Sequence, residues 1–166
     1  MFDQILEDLT GTFSLVPAPV AFWRLTAAVV LASVIGLERE RRNKPAGLRT
    51  HILVSVAACL FVILGLELAA LDFGDRGEQR HDPLRMIEAV TAGVAFLAAG
   101  IIFNTDGKVR NITTGASLWL AGAIGLGCGA GQILLAAMAA GIVVVVLTVL
   151  RRIEAHFWPD GRAPED

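Results

Sequence analysis

Charged residues are scarce in this chain: Asp, Glu, Lys and Arg make up 18% of its 166 residues, against 55% hydrophobic. With a mean hydropathy of +0.64, that scarcity excludes an ordinary globular domain, in which about a quarter of residues are charged. A net charge of -2 and a pI near 5.9 leave no basic surface of the kind that tracks a phosphate backbone, so nucleic acid is not an expected partner. The first ten residues, MFDQILEDLT, hold Asp3, Glu7 and Asp8 but no Lys or Arg. That sign is wrong for the n-region of a cleavable signal peptide, and the first apolar segment is expected to be retained as an anchor. Cysteine is nearly absent. Cys59 falls near the middle of one apolar segment and Cys128 near the end of another. Their depths are expected to differ, no disulfide is expected, and both read as small packing residues. The three histidines are scattered and no HExxH occurs, so no metal site or metal-hydrolase chemistry is expected.

What the chain has instead is long apolar runs. They end at charge clusters or Gly/Pro-rich breaks and give five expected spans, near 18–37, 50–70, 84–103, 112–130 and 132–150. The last two come from one uncharged stretch, Asn111 to Leu150. As a single helix it would reach about 60 Å, twice the hydrocarbon thickness, so it must turn back on itself. The turn is expected at Cys128-Gly-Ala-Gly131-Gln132, where two glycines weaken the helix. The expected fold is therefore an all-α, five-helix membrane bundle. Residues 1–17 precede it, 18–152 form the one membrane domain, and 153–166 are a short tail with Pro159, Gly161 and Pro164. No 20–50 residue repeat is apparent.

Loop charges orient the bundle, because cytoplasmic loops retain Lys and Arg. Arg39, Arg41, Arg42, Lys44 and Arg49 crowd the first loop, Lys108 and Arg110 the third, and Arg151 and Arg152 the C-terminal end. The second loop mixes Asp72, Asp75, Glu78 and Asp82 with Arg76, Arg80 and Arg85, and the fourth is uncharged. The N-terminus is expected outside and the C-terminus in the cytoplasm.

Ionisable side chains at membrane depth are costly and call for partners. Arg24, Glu67, Arg85 and Glu88 fall at a similar outer level, and an ion-pair network is expected there, led by Arg24 with Glu88 or Glu67. Helix-to-helix glue is its plainer reading, a role in ion passage the sharper one. Small residues at helical spacing, Ala28, Ala32 and Gly36 in the first span and Ala92, Ala95 and Ala99 in the third, are expected to let backbones approach. Gly115, Gly122, Gly125 and Gly127 add to them in the fourth. On the cytoplasmic side, Pro45-Ala46-Gly47 breaks the helix between Glu38-Arg39 and Arg49-Thr50-His51, and Glu38 is expected to pair with Arg49 across the turn. His51, Ser55 and Cys59 share one face of the second helix. Asn104, Asp106, Lys108 and Arg110 come to the same level, followed by Thr113, Thr114 and Ser117. Such a cluster suits an anion, a headgroup or a protein partner, and its plainest reading is a loop that binds anionic lipid.

GLERERRNKPAGLRTHILV, GVAFLAAGIIF and the run from Val109-Arg110 through Thr113-Thr114-Gly115-Ala116-Ser117-Leu118-Trp119 to Ala123-Ile124-Gly125 resemble successive signature blocks of the MgtC/SapB membrane proteins. The similarity covers about Arg24 to Leu150. Position by position it marks Gly36, Glu38, Arg39, Glu40, Ala46, Gly47, Arg49, Thr50, His51, Gly93, Phe96, Leu97, Gly100, Arg110, Thr113, Thr114, Trp119 and Gly125. The third-span block usually has further glycines where this chain has Ala95 and Ala98. Longer relatives carry a soluble cytoplasmic C-terminal domain, and this chain is expected to be a short form without it.

The resemblance implies a multi-pass protein of the bacterial inner membrane, associated with growth at low magnesium and, in pathogens, with survival inside host cells (virulence). Some members are named magnesium-transport ATPases, yet the residues speak against an enzyme. A phosphate loop at Gly107-Lys108 would need glycine at Ile102 and Ser or Thr at Val109, and no Asp-Lys-Thr-Gly motif occurs. No cofactor is expected. The first functional reading is a non-enzymatic regulator of a membrane complex, the resemblance suggesting the proton-translocating ATP synthase as a candidate partner. Its alternative is a small transporter or channel for Mg²⁺ or another ion, as a homo-oligomer, with Asp72, Asp75, Glu78 and Asp82 as oxygen ligands. A lipid-binding scaffold is the third. The basic cytoplasmic mouth favours the regulator.

Overall fold

The computed structural model describes residues 2, 11, 15–70, 82–105 and 108–157. Within them five helices are long and apolar enough to cross a membrane: α1 (Ala18–Arg41), α2 (Leu48–Ala70), α3 (Pro83–Ile101), α4 (Ile112–Gly129) and α5 (Ile133–Phe157). This is the expected all-α membrane bundle. Asp72, Asp75, Glu78, Asp106 and the last residues of the tail lie outside the described residues.

Local chemistry sets the helix ends. Proline stands in the first turn of α1, where its missing N–H has no intrahelical partner to lose. The helix continues one turn past the expected apolar limit and stops where Asn43 takes a left-handed conformation (φ 52°) ahead of Pro45. Asp82 caps α3 by accepting the Leu84 N–H at 3.0 Å, with Pro83 next in line. Between α3 and α4 lies an element the apolar pattern did not suggest. Two short strands, β1 (Phe103–Thr105) and β2 (Lys108–Arg110), pair antiparallel, with Phe103 opposite Arg110. The chain leaves this hairpin through left-handed Asn111 (φ 64°), whose Nδ2 donates to the Ile101 carbonyl at 3.4 Å. The expected turn after Cys128 is present, with Gly131 at φ +80°.

Helix α4 is the hub. It packs against α1, α2, α3 and α5, and 56% of its span is buried, against 11% for α3 and for α5. Glycines make this possible. An added Cβ at Gly125 or Gly129 would strike the backbone of α2 at Ser55 or Cys59, and at Gly115 or Gly122 it would strike Ile102 or Val94 at the α3 side. Ala28, Ala32, Ile35 and Gly36 form the buried row of α1, and a Cβ at Gly36 would come within 2.8 Å of the Leu48 Cα. Small side chains thus let the backbones meet, which is how helices associate where no hydrophobic force drives them together. Large apolar residues turn outward instead, among them Phe96, Leu134 and Ile142, as a lipid-facing surface requires.

Three packing expectations change. Ala92, Ala95 and Ala99 are exposed on α3, and a Cβ at Gly93 or Gly100 would meet nothing within 4 Å. The reason is that α3 reaches the bundle with its opposite face, through Val94 and Ala98. Cys59 and Cys128 are both free, but they lie at one depth and not two, in the same buried cluster with Ile35, Ile63 and Ile124. Helices α2 and α4 run in the same direction, so Gly129 packs on Cys59 and brings its neighbour Cys128 level with it.

Candidate functional site

The end of α1 and the starts of α2 and α4 converge on one polar centre. Arg39 is 2% exposed, and its Nε donates to Glu38 Oε2 at 2.6 Å. The other carboxylate oxygen of Glu38 pairs with Arg42 Nε one turn on, and Arg42 Nη2 donates to the Leu147 carbonyl of α5 at 3.0 Å. One carboxylate therefore clamps two guanidiniums. The expected pairing of Glu38 with Arg49 is not formed. Arg49 is exposed, and Arg42, which follows the last residue of α1, stands at the i+4 position from Glu38 and takes its place.

Glu40 takes a different task. Its Oε2 accepts the Leu48 N–H at 2.8 Å, so a side chain from the end of α1 caps the start of α2. Gly47 leaves the room, since a Cβ there would overlap the Glu40 carboxylate. Three residues into α2, His51 is fully buried. Its Nδ1 lies 2.8 Å from the Gly47 carbonyl, which only accepts, so Nδ1 carries the proton. Its Nε2 therefore accepts, 3.1 Å from Ser117 Oγ on α4, and the single Ser117 proton is shared between that nitrogen and the Thr114 carbonyl 2.9 Å away. The Arg39 and Glu38 charges are near enough to act on the His51 ring. Thr114 is fully buried, and its Oγ1 has no hydrogen-bond partner among the described residues. Thr113 and Thr50 are half-buried at the same end, as is Arg110, whose Nε is enclosed. The structure therefore draws Glu38, Arg39, His51 and Thr114 together and sets Arg49 on the rim. Ser117 and Arg42 complete the cluster. Ser117 was readable from its helical spacing to Thr113 and Thr114, whereas Arg42 carried no signal beyond charge.

At the opposite end, the residues expected to form ion pairs are engaged separately. Arg24 Nη1 donates to the Gly129 carbonyl at 2.7 Å, a favourable place for a cation because helix C-termini carry partial negative charge. Glu67 accepts the Val16 N–H at 2.7 Å and the Leu15 N–H at 3.2 Å. Glu88 is exposed on α3. Helices α1 and α3 share no substantial interface among the described residues, which leaves Arg24 and Glu88 on separate parts of the bundle.

The polar centre thus lies among the blocks GLERERRNKPAGLRTH and Val109 to Ser117, and comparison with known proteins assigns them. The model of the MgtC family matches residues 25–156. The chain belongs to the MgtC family. Its relatives include Protein MgtC of Brucella abortus, 40% identical over 127 residues, covering 76% of this chain and 50% of that protein. Protein SapB of Bacillus subtilis is 39% identical over 114 residues, covering 68% and 49% respectively. Protein MgtC of Salmonella typhimurium is 34% identical over 128 residues, covering 77% and 51%. The chain spans about half the length of these MgtC and SapB relatives. No solved structure matches it. Five apolar helices together with MgtC family membership make this a multi-pass membrane protein.

Proposed function

We propose that this MgtC family protein is a non-enzymatic regulator in the bacterial inner membrane, linked to magnesium limitation, that acts on another membrane complex through its Glu38–Arg39 end. The observation that carries the reading is the burial of Arg39. A cation route through this end of the bundle would pass a guanidinium that is 2% exposed beside a second one on Arg42, and like charge at a constriction opposes entry. The seam of α1, α2 and α4 is also closed by direct backbone contact at Gly36, Gly125 and Gly129. By contrast, the rim around Arg49 is exposed and suits a docking surface. A proton-translocating ATP synthase is the candidate partner implied by the family likeness, and host survival is a role of pathogenic members that this reading allows.

The test is Mg²⁺ flux into proteoliposomes holding the purified protein, beside empty vesicles and a Glu38→Ala/Arg39→Ala variant, with helicity measured on each. The regulator predicts flux at the empty-vesicle level, and crosslinks from a photoreactive residue at position 49 to a distinct membrane protein in cells. Saturable flux that the double variant loses would overturn it and make the protein an ion transporter.

A further inference from the structure

Glu88 sits where a carboxylate is costly. Helix α3 has 19 residues, so at 1.5 Å rise per residue it measures about 28 Å, no more than the hydrocarbon core it has to cross. It has no length to spare, and Glu88, five residues beyond Pro83, falls about 7.5 Å below the start of the helix. There it is exposed on the outer surface of the bundle. Ionisable side chains at membrane depth almost always face protein or water and pair with one another. Among the described residues, neither Glu88 nor Arg85 enters an ion pair.

The two charges head a continuous face. Arg85, Glu88, Ala92, Ala95 and Ala99 are all exposed and follow one another at steps of three, four, three and four, the spacing of a heptad seam. They form one stripe along α3, turned away from the face on which Val94 and Ala98 are buried against the bundle. Beyond the charges the stripe is alanine alone, so a second backbone can come close to it. The fold gives α3 little else to hold it, since only 11% of its span is buried.

We infer that this stripe of α3 is the interface with a second copy of the chain. Two copies inserted in the same sense are related by a two-fold axis along the membrane normal, which sets α3 against its counterpart, parallel and at equal depth. The alanines then meet across the seam, and the helices cross at about +20°, the angle of heptad packing. Arg85 of each copy lies one turn from Glu88 of the other, so reciprocal ion pairs form and neither charge is left facing lipid. This face carries a cation and an anion on adjacent turns, and its own copy presents both at the matching levels. A partner offering a cation alone would cover Glu88 and repel Arg85. The interface lies at the other end of the bundle from Glu38 and Arg39, and it stands whether or not the protein docks on a partner complex there.

The test is energy transfer between full chains tagged with donor or acceptor fluorophores, in phosphatidylcholine vesicles over a range of protein-to-lipid ratios, beside a monomeric membrane protein carrying the same labels. Transfer is expected to exceed that control and to saturate. Ala95→Leu adds bulk only on an exposed surface, so the variant folds, and it is expected to weaken association about tenfold. Arg85→Glu makes the face doubly acidic and Glu88→Arg makes it doubly basic, so each variant alone should associate weakly. An equal mixture of the two should recover association, which pairing within one helix cannot produce. Circular dichroism checks the fold of all three. Transfer at the control level would leave α3 facing lipid, with Glu88 reaching the interface on its own, and would overturn the inference. Transfer that Ala95→Leu does not lower, or a mixture no better than its components, would do the same. In cells, a photoreactive residue at position 92 is expected to yield a dimer of the chain, and adducts with a different protein alone would refute the self-complementary face.

Discussion

Gly125 of α4 rests directly on the backbone of Ser55 in α2, so that an added Cβ would lie 2.8 Å from the Ser55 Cα and overlap its carbonyl. The atoms in the way are main chain, and they cannot rotate aside as a side chain can. The two helices must separate for any larger residue to fit.

Gly125→Ala is therefore expected to destabilise the bundle by about 1–3 kcal/mol, the usual cost of overpacking. Gly93 and Gly100 give the contrast, because a Cβ at either meets nothing within 4 Å. Alanine there removes a helix-weakening glycine and is expected to leave stability unchanged or raise it by up to about 1 kcal/mol. Thermal unfolding of the three variants in one detergent checks the order. A Gly125→Ala protein as stable as Gly93→Ala would refute the close approach.

Glu40 and Gly47 act as one device. The carboxylate reaches the Leu48 N–H only because Gly47 has no side chain. Glu40→Ala and Gly47→Ala are each expected to cost about 1 kcal/mol, the typical worth of a helix cap. Their double variant should cost no more than the larger single one, since both remove the same bond. Additive losses in unfolding midpoints would show that the two residues act independently.

These cases mark how far the fold was legible. Five spans followed from apolar runs between charge clusters, and the turn after Cys128 followed from the length of an uncharged stretch that no single helix could carry across the membrane. Periodicity also named rows of small residues, but it could not say which row met a neighbour. Ala28, Ala32 and Gly36 are buried, whereas Ala92, Ala95 and Ala99 face outward, because the choice depends on where α4 stands among the other helices. For the same reason a shared membrane level suggested that Arg24 and Glu88 would meet, when lateral position decides the matter. In the polar centre, residue type singled out Glu38, Arg39, His51 and Thr114. The pairing of Glu38 was missed because several arginines crowd the charged extension of α1 and the loop after it, and charge alone does not rank Arg42, one turn on, above Arg49 across the turn.

The far end of α4 offers an independent probe. Arg24 donates to the Gly129 carbonyl, and Gly131 beyond it holds φ +80° with Arg24 Nη2 2.9 Å from where its Cβ would be. Gly131→Ala meets two penalties, a left-handed backbone worth about 1–2 kcal/mol and collision with the guanidinium. Arg24→Gln loses one interhelical hydrogen bond, about 0.6 kcal/mol on average within membranes and rarely above 1.7. Gly131→Ala is thus expected to be the more damaging of the two by unfolding midpoint. The reverse order would place the weight on the arginine.

The clamp on Glu38 yields an asymmetry that ordinary charge counting does not. Removing Arg39 leaves Glu38 with Arg42, so Arg39→Met deletes one buried charge while its partner keeps a counterion. Removing the carboxylate instead takes the counterion from Arg39, which is 2% exposed, and an uncompensated buried charge costs about 3–5 kcal/mol. Glu38→Gln is therefore expected to unfold at clearly lower temperature than Arg39→Met. Adding Arg39→Met to Glu38→Gln should recover part of the loss, because it removes the stranded charge itself. A double-mutant cycle measures that recovery as a coupling energy. Zero coupling, or an Arg39→Met protein weaker than Glu38→Gln, would mean that the carboxylate does not hold Arg39 in place.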